Sequence, residues 1–571
     1  MSAKLTDEVL MENITDSKKV RAAGNTCGIL LYITAAAMIA YSMFLCFSPD
    51  IWYDELFSIE FAIRPVSEMI NLTAADVHPP LYYIIVHYAI EIGSSIARAV
   101  GFSGGLGSEF GTMYIQVLSA KLSCIVPYVI LYIYGITCIR KRHGILAGGL
   151  FSAALIAMPN LADYTVEIRM YSWLILFVTA MCISAKPFIT GDANGRMVRG
   201  LDIKRAFPVF IYGLLACYTQ YYAAVAVAAV YAFLVVYSIR KNVWQLGIVF
   251  IIMNLTFICY LPWVSVVFSQ AGTVSENYWI QPLTWRSLGG IAKYLVLPSF
   301  TNVMVGYVFA GILVIMILLA IFLGHKNVYM WFLFAPITGI VIAGFVASIL
   351  IRPVFVYRYM MPGMGAFWYG IIMVLFSDRK SGATVEADKD ATKISGASKA
   401  DGDKKKAFGG ILTIAVPAFV IIMAVVIIRD FWAFRGNELY KRVNMAETGR
   451  LFTELKAEDD IAIITNFDHV NGLISYYLNQ SGKEIPVYLY GAQPEALIEN
   501  MIKGVSQIED AADIRQLIEN GKHVLFLGSF NSREDIVADW ESNYGIANEN
   551  KGSYLMERYW FDVFDLSLSA D

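Results

Sequence analysis

The sequence predicts an α-helical polytopic membrane protein with about 11 spans, interfacial helices and a small C-terminal extracytoplasmic α/β domain. Composition is the first reason, because 57% of the 571 residues are hydrophobic, 16% are charged and the mean hydropathy is +0.56. A soluble core of this length could not bury so much apolar surface. The second reason is a series of long apolar runs, and the third is a change of pattern near residue 435.

Apolar runs long enough to cross a bilayer, about 20 residues with some tolerance, recur along the chain. They lie at 28–48, 113–139, 144–160, 171–185, 206–219, 222–238, 246–264, 304–324, 328–350, 360–376 and 408–428. Lysine and arginine cluster between them, at Lys18-Lys19, Arg140-Lys141-Arg142, Arg196 to Arg205, Arg240-Lys241, Arg379-Lys380 and Lys404-Lys405-Lys406. Placing these clusters in the cytoplasm satisfies the positive-inside rule. We therefore expect a multi-pass protein of the cell membrane, with a cytoplasmic N-terminus and an extracytoplasmic C-terminal domain.

Residues 81–98 resemble a further span, but a crossing there would move the Arg140 cluster outside. Polar side chains in this segment recur at intervals of three and four, at Tyr83, His87, Glu91, Ser94 and Arg98. That spacing predicts an amphipathic helix lying at the membrane surface. The alternative is a tilted span whose polar stripe faces other helices. The short apolar segment 287–297 is a second candidate for an interfacial helix.

The chain divides into five parts by composition. They are a cytoplasmic tail at 1–27, a membrane module at 28–376, a flexible cytoplasmic linker at 377–407, a last transmembrane helix at 408–434 and an extracytoplasmic α/β domain at 435–571. In the last part, 460–465, 485–490 and 523–528 predict buried strands, whereas 470–478 and 508–519 predict helices. This domain has no glycine-rich phosphate motif after its first strand, and we expect a structural or acceptor-facing role for it.

Charge and cysteine usage exclude two kinds of site. The net charge is -3, and the basic residues occur in short clusters rather than along one stripe, so we expect no nucleic-acid partner. All seven cysteines lie in or beside apolar segments without a CxxC pair, so we expect neither disulfides nor a thiolate metal site.

Acidic side chains and a histidine stand just outside the first apolar run. Asp54 and Glu55 follow two aromatic residues, and the stretch Asp76-Val77-His78-Pro79-Pro80 comes next. Charges beside hydrocarbon are costly and usually functional. A partly desolvated carboxylate has a raised proton affinity and suits a general base, while the two prolines hold Asp76 and His78 on a rigid segment. The alternative is that these acids only cap the following helix or loop.

A second polar loop on the same face runs from Asp163 to Tyr171. Glu167 and Tyr171 are four residues apart and share one face if the segment is helical, and Arg169 can pair with Glu167 or bind an anion. The alternative is a structural turn held by a salt bridge.

A further loop contains Arg352-Pro353-Val354-Phe355-Val356-Tyr357-Arg358-Tyr359. The planar guanidinium suits a phosphate group, and a lipid phosphate would lie at the depth of this loop. The alternative is that Arg352 and Arg358 extend to ordinary headgroups.

These motifs together resemble the C-type glycosyltransferases, in the branch that contains protein O-mannosyltransferases and aminoarabinose transferases of lipid A. The resemblance covers about residues 28–376. It rests on Asp54-Glu55, on Asp76-Val77-His78-Pro79-Pro80-Leu81 and on Tyr164-Thr165-Val166-Glu167-Ile168-Arg169-Met170-Tyr171. It implies a polyprenyl-phosphate-linked sugar donor, a first-loop aspartate as the catalytic base, here Asp54, and a second-loop acid, here Glu167, with Asp163 as the alternative.

One departure from the mannosyltransferases concerns the phosphate. They continue after His-Pro-Pro-Leu with glycine and lysine, where this chain has Tyr82-Tyr83. Phosphate recognition is therefore expected from Arg169, Arg358, His78 and Tyr171. The acceptor, whether glycan, lipid or protein, is left open.

The expected activity is an inverting hexosyl or pentosyl transfer from the lipid carrier to an acceptor hydroxyl on the extracytoplasmic face. Asp54, Glu55 and Glu167 are the expected catalytic residues, with Asp76, Asp163 and Tyr359 in support. No cofactor is required by the sequence, but a divalent cation on Asp54, Asp76 and Glu167 stays open. The alternative function is a transporter or flippase for a lipid-linked sugar, although the sequence shows no internal repeat of the transporter kind.

Overall fold

A computed structural model describes residues 2–102, 108–191, 202–241, 243–273, 280–376, 399–479 and 484–569. The helices of the N-terminal part are α1 (Ser2–Leu45), α2 (Tyr53–Ala62), α3 (Val66–Ala75), α4 (Leu81–Ala99), α5 (Ser108–Tyr134), α6 (Arg140–His143), α7 (Ile145–Ala157), α8 (Tyr171–Ser184) and α9 (Pro187–Thr190). They are followed by α10 (Ile203–Cys217), α11 (Tyr221–Lys241), α12 (Val243–Thr273), α13 (Arg286–Val296), α14 (Val303–Gly324), α15 (Val328–Leu350), α16 (Met361–Phe376) and α17 (Lys399–Ala457).

Within these ranges, nine helical segments are long and apolar enough to cross a membrane. The shorter helices α7 and α10 coincide with two more of the predicted runs. All eleven apolar runs are therefore helical, and the predicted fold class is confirmed. The flexible linker expected at 377–407 falls largely on 377–398, outside the described residues, and 399–407 form the start of α17.

Helix α4 is the segment for which the charge pattern predicted an interfacial position. It is a single helix of 19 residues that buries Tyr82, Tyr83, Val86 and Ile90. It packs against α5, where Tyr82 Oη lies 3.7 Å from the sulfur of Cys124. The predicted helix at 287–297 is also present, as α13. The position of both helices at the membrane surface stays a prediction.

The C-terminal part forms a six-stranded sheet in the order β3-β2-β1-β4-β6-β5. Its strands are β1 (Ile461–Thr465), β2 (Val487–Tyr490), β3 (Val505–Ile508), β4 (His523–Gly528), β5 (Ile546–Met556) and β6 (Tyr559–Leu568), and its helices are α18 (Asp468–Leu478), α19 (Ala496–Met501), α20 (Ala511–Glu519) and α21 (Ser532–Tyr544). Strands β1 to β4 are parallel, and β6 is antiparallel to both of its neighbours, β4 and β5. The predicted strands and helices are confirmed, whereas β3, α19, α21 and the β5–β6 hairpin were not predicted.

One face of this sheet continues the core of the membrane module. Ile463, Val487 and Leu525 belong to the same buried cluster as the membrane helices, while Ile464, Val524 and other residues form a second core on the opposite face. Tyr477 of α18 accepts a hydrogen bond from the backbone N–H of Ile51 at 3.0 Å and donates to the carbonyl of Pro49 at 3.0 Å. The domain is thus attached directly to the loop that follows α1.

Candidate active site

The first turn of α2 carries the acidic pair at the point where the loops meet. Oδ2 of Asp54 lies 3.2 Å from Nη1 of Arg358 and 3.7 Å from Nη2 of Arg169. Arg169 also donates from Nη1 to the backbone carbonyl of Asp54 at 3.1 Å. The side chains of Asp54 and Arg358 are 22% and 24% exposed, whereas that of Arg169 is 5% exposed. Three predicted site residues from three different loops therefore come together.

The electrostatic state of Asp54 differs from the expectation of a raised proton affinity. Burial alone would raise the pKa of its carboxyl group, but the guanidinium groups of Arg169 and Arg358, with a smaller effect from His78, outweigh burial and lower it. Asp54 is accordingly ionised at neutral pH. The pKa of Asp54 is lowered rather than raised because the two arginines predicted to bind phosphate contact the carboxylate itself.

Glu55 faces inward and accepts two backbone hydrogen bonds. Its Oε2 accepts from the N–H of Trp52 at 3.0 Å, which caps α2, and its Oε1 accepts from the N–H of Ile168 at 2.6 Å. Burial raises the pKa of Glu55 to about 8. This carboxyl group therefore caps α2 and ties the first loop to the second.

Glu167 pairs with a residue that the sequence analysis missed. Its Oε2 lies 3.1 Å from Nη2 of Arg558, in the two-residue turn between β5 and β6. Arg558 also lies 3.1 Å from Oε2 of Glu557 and 3.9 Å above the ring of Trp52. Burial raises the pKa of Glu167, and Arg558 opposes that rise. Arg558 of the C-terminal domain therefore contacts a residue of the candidate site.

His78 and Asp76 form a local pair, with Nδ1 of His78 3.1 Å from Oδ2 of Asp76. His78 also lines an apolar cavity of about 200 Å³. The cavity's other walls are Val77, Gln220, Tyr221, Tyr222, Val267, Gln270, Arg352, Val354 and Tyr359. Tyr359 stacks on Tyr222 at a centroid distance of 4.7 Å and is adjacent in sequence to Arg358. Tyr359, which lines the cavity, therefore follows directly after Arg358, which contacts Asp54.

Two other predicted residues lie beside this centre. Tyr171 is fully buried against Tyr164, with ring centroids 4.8 Å apart, and its hydroxyl has no hydrogen-bond partner in the part of the chain that the structure describes. Asp163 is exposed, and its carbonyl accepts a 3.0 Å hydrogen bond from the N–H of Glu167. Asp163 therefore shapes the turn that presents Glu167.

The three carboxylates that the sequence left open as ligands of a divalent cation, Asp54, Asp76 and Glu167, do not form one metal-binding group. Asp54 pairs with two arginines, Asp76 with His78 and Glu167 with Arg558. Within the described ranges, no group of three or more His, Cys, Asp and Glu side chains could hold a metal ion. The residues present do not fit a cation bridged by these three carboxylates, and no step is assigned to one.

A buried ion pair joins α5 to the loop that precedes α2. Nζ of Lys121, on α5, lies 3.4 Å from Oδ1 of Asp50 and donates to the carbonyl of Asp50 at 2.7 Å. The two side chains are 3% and 4% exposed. The only sequence signal for this pair is a lone lysine within an apolar run, which is rarely found without a partner.

No family model matches the chain, and no curated protein matches it by sequence. The crystal structure of ArnT from Cupriavidus metallidurans in the apo state superposes with a TM-score of 0.52 at 14% identity, covering 95% of this chain and 99% of ArnT. The chain has the ArnT fold.

The same protein bound to undecaprenyl phosphate gives a TM-score of 0.52 at 13% identity, with 94% of this chain and 99% of ArnT covered. The archaeal oligosaccharyltransferase AglB from Archaeoglobus fulgidus gives a TM-score of 0.37 at 10% identity, covering 89% of this chain and 70% of AglB. The ArnT fold extends over the C-terminal domain as well as the membrane helices, and the resemblance to the aminoarabinose transferase branch is confirmed at the level of the fold.

Proposed function

We propose that the chain is a membrane glycosyltransferase that moves a sugar from a polyprenyl-phosphate carrier to an acceptor hydroxyl on the extracytoplasmic face. The observation that carries this function is the position of the Asp54 carboxylate between the guanidinium groups of Arg169 and Arg358. One base and two fixed cations are the groups that such a transfer requires. The ArnT fold supports the same activity, since one ArnT structure holds undecaprenyl phosphate.

The donor phosphate is assigned to Arg169 and Arg358. A guanidinium group binds phosphate oxygens through parallel N–H donors and keeps its charge at any working pH. The buried hydroxyl of Tyr171 is a further donor beside them. The apolar cavity at His78 and Tyr359 has a surface suited to the first isoprene units of the carrier.

The transfer step inverts the anomeric carbon. The acceptor oxygen attacks that carbon from the side opposite the phosphate, the bond from the carbon to the phosphate oxygen breaks, and its electron pair stays on the phosphate. The acceptor proton passes to Asp54 and then to water. The products are the glycosylated acceptor and polyprenyl phosphate, whose negative charge the two arginines stabilise.

The arginines also couple donor binding to the base. In the free site they lower the pKa of Asp54, which keeps it ionised but makes it a weak base. A donor phosphate competes for the same guanidinium groups and weakens their hold on Asp54. The proton affinity of Asp54 therefore rises when the donor is bound, which favours binding of the donor before the acceptor.

Glu55 and Glu167 are assigned supporting roles. Both carboxyl oxygens of Glu55 accept hydrogen bonds from backbone N–H groups, so this residue positions the two loops. Glu167 is held by Arg558 and lies within electrostatic range of Asp54. Its expected effect is on the position and charge of the site rather than on proton transfer.

A reconstituted assay separates an enzyme from a transporter. Purified protein in nanodiscs is incubated with polyprenyl-phosphate sugars labelled in the sugar, together with delipidated envelope glycans and glycolipids. The transferase predicts conversion of labelled donor to polyprenyl phosphate and a labelled acceptor. Quantitative recovery of intact donor, with movement of the donor between leaflets in sealed vesicles, would establish the transporter instead.

A further inference from the structure

The C-terminal sheet reverses its strand order beside the site. The chain passes from β1 to β2 on one side and returns to β4 on the other side of β1. Loops that follow the carboxyl ends of two such strands diverge and leave a crevice, which is where open α/β sheets bind ligands. The crevice between β1 and β4 is not used by the transfer mechanism above.

Two loops form this crevice and are fixed to each other by Asn466. Its side-chain amide donates to the carbonyl of Ser529 at 2.8 Å, and its Oδ1 accepts from the N–H of Ser529 at 2.7 Å. Phe467 follows in the first loop and Phe530 in the second, with ring centroids 4.8 Å apart. The two rings therefore contact each other edge to face, which leaves the exposed ring of Phe530 as the surface for a ligand.

A row of rings leads from the crevice to the catalytic loop. Phe467 lies 4.6 Å from His469, and His469 stacks on Tyr53 at 3.8 Å with an interplanar angle of 12°. Tyr53 directly precedes Asp54 in the chain. Tyr559 of β6 flanks the row, since its hydroxyl lies 3.2 Å from Nδ1 of His469.

Phe530 is held in an unfavourable conformation at the open end of this row. Its φ is +61°, in the left-handed region that a bulky side chain rarely adopts, and its side chain is 60% exposed. An exposed apolar ring gains nothing from burial that could offset the strained backbone. A ligand that covers the ring would account for both features.

We propose that the Phe467–Phe530 crevice binds a sugar ring of a carbohydrate acceptor. The C–H face of a pyranose is apolar and packs on an aromatic ring, while its hydroxyl groups need donors and acceptors at the ring's edge. His469, Asp468 and Tyr559 supply such groups beside the two phenylalanines. A lipid tail would leave this polar edge unpaired, and a peptide chain lacks the flat C–H face that packs on the exposed ring.

The position of the crevice explains why a sugar bound there would belong to the acceptor. The row of rings runs from Phe530 through Phe467 and His469 to Tyr53, which precedes Asp54, so an acceptor bound at the crevice can extend along the rings to the base. This step rests on the proposed function. The C-terminal domain thereby selects the acceptor, and the membrane module binds the donor.

Saturation-transfer NMR on the full-length protein in nanodiscs tests this site without requiring transfer. The probes are methyl hexopyranosides and maltose, with a serine-containing hexapeptide for comparison. We expect saturation of the pyranose ring protons by the wild-type protein and by Phe530→Tyr, and at least a threefold loss in Phe530→Ala. Trp560→Ala is the matched control, because Trp560 is 51% exposed on the adjacent strand outside the crevice, and should leave the signal unchanged.

Equal saturation by the wild-type protein and Phe530→Ala would overturn the assignment, as would saturation of the hexapeptide alone. Phe530→Gly removes the strain at φ +61°, so it should melt at or above the temperature of Phe530→Ala and still lose the sugar signal. Asp54→Asn should retain the sugar signal. If the wild-type protein returns the labelled donor intact, the proposed function fails while the acceptor site is unaffected, whereas transfer by Asp54→Asn removes only the assignment of Asp54 as the base.

Discussion

Oδ2 of Asp54 lies 3.2 Å from Nη1 of Arg358, although 304 positions of sequence separate them. The pair joins the first loop after α1 to the loop before α16, and Arg169 closes on the same carboxylate oxygen from a third loop. The base and the cations assigned to the donor phosphate are thus one electrostatic unit. A substitution in one of them should change the behaviour of the others.

Arg358→Lys should weaken the donor site while the fold is retained. Lysine keeps the charge but lacks the planar fork of donors. We expect the apparent KM for the polyprenyl-phosphate sugar to rise by about tenfold, which corresponds to about 1.4 kcal/mol, near the value of one charged hydrogen bond. Arg98→Lys, at an exposed arginine on α4, is the control. An unchanged KM in Arg358→Lys would remove Arg358 from the phosphate site.

Glu55 should make stability depend on pH. Its pKa is raised from 4.5 to about 8 in the folded state, so the folded protein holds a proton that the unfolded chain releases. The contribution of Glu55 to the free energy of unfolding is fully present below about pH 4.5 and is lost as the pH rises to about 8. The melting temperature of the wild type should therefore fall relative to Glu55→Gln across this interval.

Melting curves in detergent at closely spaced pH values measure that difference. Glu534→Gln, at an exposed acid in the first turn of α21, should show the pH dependence of the wild type. Parallel curves for the wild type and Glu55→Gln would mean that Glu55 is ionised in the folded protein.

Arg558 and Glu167 should behave as a coupled pair. Arg558→Met leaves the buried carboxylate of Glu167 without its 3.1 Å partner, so both stability and transfer should fall. Adding Glu167→Gln removes the uncompensated charge and should recover part of the melting temperature. A double-mutant cycle on melting temperature and initial rate measures the coupling, with Arg515→Met on α20 as the control. Strictly additive effects would show that the domain does not act on Glu167.

Lys121→Met tests the buried ion pair beneath the site. It leaves Asp50 uncompensated in an environment where both side chains are almost fully buried. Loss of one partner of such a pair costs about 3–5 kcal/mol. We expect a large fall in melting temperature and expression, and a recovery when Asp50→Asn is added. A melting temperature equal to that of the wild type would mean that water reaches Asp50.

The sequence was sufficient to predict the elements that meet at the site. Alternation of apolar runs with basic clusters predicted which loops share a face, and the polar residues of those loops included Asp54, Arg169, Arg358 and His78. These residues do lie together or line the adjoining cavity. Prediction succeeded here because a bilayer allows only a small number of arrangements for each span.

The contribution of the C-terminal domain was not predictable in the same way. Arg558 lies in a two-residue turn, where an arginine is normally solvated, and only the docking of the sheet brings it to Glu167. The β5–β6 hairpin was missed because the middle of β5 is polar and exposed. The lowered pKa of Asp54 was missed for a related reason, since the distance from a carboxylate to two arginines on other loops is a tertiary property.

Transfer by Asp54→Asn, measured alongside undecaprenyl phosphate binding, tests the central claim most directly. The wild type and Asp54→Asn are reconstituted in nanodiscs, with Asp513→Asn on α20 as the folded control. A general base predicts a loss of transfer of about 10²–10⁴-fold with lipid-phosphate affinity equal to or above that of the wild type. Transfer within a few fold of the wild type, or a parallel loss of lipid-phosphate binding, would contradict the assignment of Asp54 as the base.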